Sequence, residues 1–169
     1  MIIKRLRILS CIILCCILLS SCERDDICAE STPVTPLLVI DFFDIENTTE
    51  LKTPVNLTIR EMNGDTLEGS PFNSATISIP LRTDIDETNL LFILNTGDES
   101  AETPENEDGF TISYVRVEEY ISKACGFRVT YEAIDPNRTA ETNGFWMQDI
   151  QVINTTVEDE TSAHIQIFH

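Results

Sequence analysis

Two histidines, His164 and His169, are the only imidazoles in the chain, five residues apart near its end. On a strand an odd separation sends them to opposite faces, so they cannot share a metal ion. No serine–aspartate arrangement accompanies them, and no glycine-rich phosphate loop, Walker motif or HExxH pattern occurs. Carboxylates are the abundant reagent. With 29 acidic residues, some pair at glycosidase spacing always exists, so spacing alone carries no information. Thr96 to Gly109 gathers Asp98, Glu99, Glu102, Glu105, Glu107 and Asp108 without a base, a composition that suits the roughly 6–8 oxygen ligands of calcium. Placing Gly109 at the sixth position of an EF-hand loop puts Pro104 first and Val115 twelfth. Neither side chain can ligate, and that frame fails. Asp98, Glu99, Glu107 and Asp108 stay as candidates for an irregular calcium site, against the simpler reading of a solvated loop. Phe145, Trp146 and Met147 follow Gly144 and could form a sugar-stacking or partner-binding lip, although burial habits favour Trp146 in a core. The expectation is a protein with no cofactor, no assigned metal and no catalytic constellation.

The thiols carry more information. Met1 to Arg7 holds three positive charges, and Ile8 to Leu19 is an apolar run broken only by Ser10 and three cysteines. This is the form of an export signal, and it is too short for a membrane span, which needs about 20 apolar residues. Its exit, Leu19-Ser20-Ser21-Cys22, resembles the lipobox of bacterial lipoproteins, in which the cysteine thiol is acylated before cleavage. Cys22 would then begin the mature chain with two or three palmitate-type acyl chains, enough to hold where one is not. The segment that follows, Glu23-Arg24-Asp25-Asp26, resembles the acidic signal that places lipoproteins of the Bacteroidota on the outer face of the outer membrane. Cys11, Cys15 and Cys16 leave with the signal, so Cys28 and Cys125 remain in an oxidising compartment. They read as a disulfide, with two buried free thiols as the alternative. They lack the partners a metal site or a catalytic thiol would need.

Removing the first 21 residues leaves 8 basic against 29 acidic residues and a net charge of −21. Binding to DNA or RNA is excluded on that balance, because phosphate neutralisation needs Lys and Arg. The organisation expected is a signal peptide over 1–21, a lipidated tether over 22–36 and a folded domain over 37–169.

In that domain apolar residues alternate with polar ones rather than recurring at helical spacing. Strands are predicted over Leu37 to Phe43, around Val55 to Ile59, over Ala75 to Leu81 with Pro80 marking an end or edge, and over Leu90 to Leu94. Four more follow over Phe110 to Tyr120, Phe127 to Ile134, Trp146 to Ile153 and Ala163 to Phe168, with turns at Asn63-Gly64 and Lys123 to Gly126. About eight antiparallel strands with short connections predict an all-β, immunoglobulin-like sandwich in the architectural sense. Trp146 follows both cysteines, so the Cys…Trp…Cys order of antibody domains is absent. Asp65-Thr66-Leu67 resembles the O-glycosylation site of Bacteroidota exported proteins, with Thr66 as acceptor.

Several segments together resemble a family of small Bacteroidota lipoproteins known as a domain of unknown function. They are Cys22 to Cys28, Thr32-Pro33, Leu37 to Phe43, Pro80 to Asp84, Ser122 to Phe127 and Ala163 to His169. The resemblance implies bacterial origin, a lipid anchor and Cys28–Cys125 pairing, and brings no catalytic residues. The function expected is a non-enzymatic outer-membrane lipoprotein, a binding or assembly module with an envelope protein or a glycan as partner. The alternatives are a carboxylate hydrolase acting on glycans or peptides and a calcium-dependent adhesion-type module. A Cys28–Cys125 bond would place the Cys125-Gly126 turn at the membrane-proximal end, with the acidic loop facing away.

Overall fold

Short runs of alternating side chains build strands, since successive residues point to opposite faces. The computed structural model describes residues 27–62, 64–97, 103–140 and 144–169. It holds β1 (Leu38–Phe43), β2 (Thr58–Glu61), β3 (Thr76–Ile79), β4 (Glu87–Leu94), β5 (Asn106–Ser122), β6 (Gly126–Ala140), β7 (Asp149–Val152) and β8 (Ile165–Phe168). These form two four-stranded sheets, ordered β3-β1-β8-β7 and β2-β4-β5-β6. The architecture is an all-β sandwich.

The chain divides into two units, one of Val34–Glu119 with Arg128–His169, the other of Met1–Pro33 with Tyr120–Phe127. In the first, Leu38, Ile40 and Phe42 of β1 and Leu90 and Phe92 of β4 are buried in one core with Phe110, Ile112 and Tyr131. Each such side chain taken from water contributes about 1.5–3 kcal/mol. Phe92 meets Phe110 at 5.0 Å between centroids, and Tyr114 meets Tyr131 edge-on at 4.9 Å. Val39, Leu91 and Ile93 are buried too, as expected of strands with a neighbour on each side. Pro80 follows the last residue of β3, an edge strand, where a missing N–H costs no ladder bond.

Two features depart from expectation. β1 and β8 pair in parallel, Ile40 opposite Ile165 and Phe42 opposite Ile167, whereas every other pair whose register is given is antiparallel. A parallel pair needs a long connection, and here almost the whole domain supplies it. β5 also begins at Asn106, four residues before the predicted start. Glu107 and Asp108 therefore lie in a ladder opposite Ile93 and Phe92, not in a loop.

In the second unit the described residues are Ile27–Pro33 and Tyr120–Phe127. The chain reverses through Lys123 to Cys125 between β5 and β6. Gly126 closes the reversal at φ 74°, a left-handed conformation that a hairpin of this length demands and that glycine adopts without strain.

Candidate functional site

The hairpin reversal carries the chain's covalent cross-link. Cys28 and Cys125 are bonded, with Cα atoms 4.9 Å apart and a sequence separation of 97. The Cys125 N–H donates to Ser122 Oγ at 3.0 Å, which satisfies an amide inside the turn. The Thr32 hydroxyl lies 3.7 Å from Cys125 Sγ, and the Thr32 N–H donates to the Ala29 carbonyl at 3.0 Å, so the segment beyond Cys28 folds into its own turn. Ile27 is 84% exposed, Tyr120 57% and Phe127 65%. The two aromatic rings meet edge-on at 5.2 Å. A shallow groove of about 430 Å³ runs between Ile27, Thr32, Tyr120 and Lys123. The thiols were legible in the sequence, whereas the apolar side chains around them were not singled out. Tyr120 and Phe127 flanking a turn, where polar residues are usual, was the available signal.

The remaining candidates scatter. Cys22, Asp98 and Glu99 lie outside the described residues. Glu107 and Asp108 are neighbours on β5 and face opposite ways. Glu107 pairs with Arg60 at 3.7 Å. Asp108 is fully buried, its Oδ2 accepting the N–H of Trp146 at 3.0 Å and of Met147 at 2.8 Å. That carboxylate anchors a loop. Among the described residues no group of three or more His, Cys, Asp or Glu stands ready to hold a metal ion. Thr66 is exposed on a one-residue bridge to Arg60, open to a modifying enzyme.

The histidines lie at the two ends of β8, just outside the strand. His164 is buried and its Nδ1 accepts the Val39 N–H at 3.0 Å. Burial pushes its pKa below the usual 6.5, against the pull of the Asp159 and Glu160 carboxylates. His169, also lowered by burial, meets the Lys52 carbonyl at 3.1 Å and lies edge-on to Trp146 at 5.7 Å. Trp146 is a core residue, 6% exposed, and its indole N–H donates to the Phe92 carbonyl at 3.1 Å. Phe145 stays outside, with the Arg138 guanidinium 4.5 Å above its ring.

Described residues of the larger unit line two further grooves. One, of about 210 Å³, runs along Glu61, Arg82, Glu87 and Thr88. The other, of about 280 Å³, runs along Asn154, Glu158, Asp159 and His164. A general acid needs a carboxyl displaced upward. The Asp159 carboxyl is instead held below the usual range by hydrogen bonds from Thr161. Asp84, beside Arg82, and Asp44, bonded by the Glu46 N–H, are likewise lowered. The phenol of Tyr131, whose O–H donates to the Leu81 carbonyl, is pushed up to about 12 by burial. A phenol held neutral in this way serves packing.

Residues 56–169 match a family described as a family of unknown function (DUF6452). The match takes in Cys125 and begins after Cys22 and Cys28. No curated protein and no solved structure matches the chain.

Proposed function

We propose that this chain, which belongs to the family of unknown function (DUF6452), is a lipoprotein of the bacterial outer membrane that serves as a binding or assembly module and carries out no catalysis. The observation that carries the reading is the Cys28–Cys125 bond. Disulfides persist outside the reducing cytosol, and this one begins six residues after the lipobox-like Cys22. An export signal, an acylated thiol and a domain stapled by a disulfide belong to one compartment. The acidic stretch Glu23 to Asp26 favours the outer membrane and its outer face. The partner is an envelope protein or a glycan.

The test is the mass of the mature N-terminal peptide from purified membranes. Cys22 carrying a diacylglyceryl group is the expected result, and the Cys22→Ser chain, which cannot be acylated, should keep residues 1–21 uncleaved. An intact, unmodified N-terminus on a chain that never sediments with membranes would overturn the reading. Capture from crosslinked, detergent-solubilised membranes then tests the binding role. A lipidated chain that reproducibly recovers neither protein nor glycan would count against it.

A further inference from the structure

We infer that the disulfide-bonded hairpin tip seats in the headgroup region of the membrane, with Ile27, Tyr120 and Phe127 as the inserted side chains. The inference rests on the lipid anchor at Cys22 and adds to it a second, non-covalent membrane contact at a defined place.

Three observations converge. The first is reach. Only Glu23 to Ile27 separate Cys22 from Cys28, and a chain of that length spans about 20 Å fully extended. Cys28 is bonded to Cys125 in the turn, so the acyl chains and the tip lie within that distance of each other. The second is chemistry. Ile27, Tyr120 and Phe127 are more than half exposed, and Tyr120 and Phe127 meet edge-on at 5.2 Å. Tyrosine, with an apolar ring and a wet hydroxyl, prefers the level of the headgroups, and Phe127 adds apolar surface beside it. The third is charge. The described residues of this unit carry one acid, Glu30, and one base, Lys123, while the mature chain carries −21. Repulsion from anionic headgroups, which reaches about 8–10 Å at physiological salt, is therefore weakest here. Lys123 stands exposed in the turn between the two aromatics, where its ammonium can reach lipid phosphates while its stem lies along the apolar layer. Set against this, Glu23, Asp25 and Asp26 on the tether limit the depth to the headgroups and keep the contact interfacial.

The test uses the full acylated chain reconstituted in vesicles of phosphatidylethanolamine and phosphatidylglycerol, with lipids brominated high on the acyl chain. Trp146 is buried and gives a constant background. Phe127→Trp should lose most of its added emission to the brominated lipid. Ile153→Trp, at an exposed position of the other unit, should keep it. Lys123→Glu in the Phe127→Trp chain should restore part of the emission. Acylation of Cys22 is read by mass on the same preparation. An acylated chain whose probe at 127 is quenched no more than the probe at 153 overturns the docking and leaves the anchor standing. A chain without acyl groups overturns both. Sedimentation of the chain expressed from residue 23 onward, without signal or lipid, supplies a further outcome. A dimer abolished by Tyr120→Ser with Phe127→Ser would overturn the proposal, because protein would then occupy the patch.

Discussion

Asp108 illustrates how one side chain can be misread from composition and read correctly from period. Among six neighbouring carboxylates it looks like part of a solvated loop, yet it shares a strand face with Phe110, Ile112 and Tyr114, all buried. Extending that alternation back by two residues places Asp108 inside, and this was the signal available in the sequence. Buried acids persist only when paired or hydrogen-bonded, and here two backbone N–H groups of the Trp146 loop supply bonds. Asp108→Ala strands both donors and should cost about 2–5 kcal/mol, since each unsatisfied buried group costs roughly 1–3. Asp108→Asn keeps an acceptor and should cost less, about 1–2 kcal/mol. Urea unfolding followed by Trp146 emission measures both, and equal losses would contradict the assignment. His164 gives a second prediction at this scale. Its folded pKa lies below 6.5 because it is buried, so the unfolded chain takes up its proton first as pH falls. Its contribution is complete above about pH 6.5 and is lost on the descent through the lowered folded value. The Val39 N–H needs the Nδ1 lone pair, and protonation there removes it. His164→Asn, which retains an acceptor, should flatten the fall in stability between about pH 7 and pH 5.5. The remaining slope belongs to His169, which is displaced the same way. An unchanged slope in the variant would remove His164 as its source.

At the scale of elements, the eight predicted strands match eight observed ones because period-two alternation reports which face is wet. Their ends and partners were harder to read. Glu107 and Asp108 stand inside β5 because ladder bonds to β4 and the buried anchor outweigh their poor strand propensity. The parallel partnership of β1 with β8 had no local signal, since nothing near Ile40 indicates that Ile165, 125 residues later, will lie beside it. The turn at Lys123 to Gly126 was legible, and its bond to Cys28 makes a topological prediction. Insert a site-specific protease sequence between Glu30 and Ser31, two exposed residues. Cutting there severs the backbone between Cys22, the proposed lipid anchor, and the sandwich, but the disulfide still joins them across the cut. The domain should therefore stay with membranes after proteolysis alone and leave only when a reductant is added. Downstream, the hydroxyl of Thr35 accepts the Val129 N–H at 3.0 Å and Glu160 accepts the Leu37 N–H at 3.1 Å, so the sandwich should survive the cut. Release before reduction would deny the bond. Retention after both treatments would mean that something beyond Cys22 holds the domain, because three interfacial side chains alone bind reversibly.

For the whole molecule the dominant physical fact is charge. From residue 22 onward the chain holds 8 basic residues against 29 acidic ones, and the described residues form five ion pairs: Lys52–Asp44, Arg60–Glu107, Arg82–Asp84, Arg116–Asp86 and Arg128–Glu119. Each has a partner more than two-fifths exposed, which limits it to about 0–1 kcal/mol. The excess of 21 negative charges acts on the folded chain more strongly than on the unfolded one, because folding brings the charges closer together. Salt screens both effects, so the sign of its influence shows which is larger. Raising sodium chloride from about 20 mM to about 300 mM shortens the screening length to well under 10 Å. The chain expressed from residue 23 onward should gain about 1 kcal/mol, a rise in Tm of roughly 2–4 °C for a domain of this size. Neutralising a pair, as in Arg116→Gln, should leave that rise in place, because long-range repulsion and not the pair is what salt relieves. Scanning calorimetry across the salt series decides it. A Tm that falls with salt would mean that the five pairs outweigh the repulsion, and that the surface acids are placed to attract the few bases rather than spread at random.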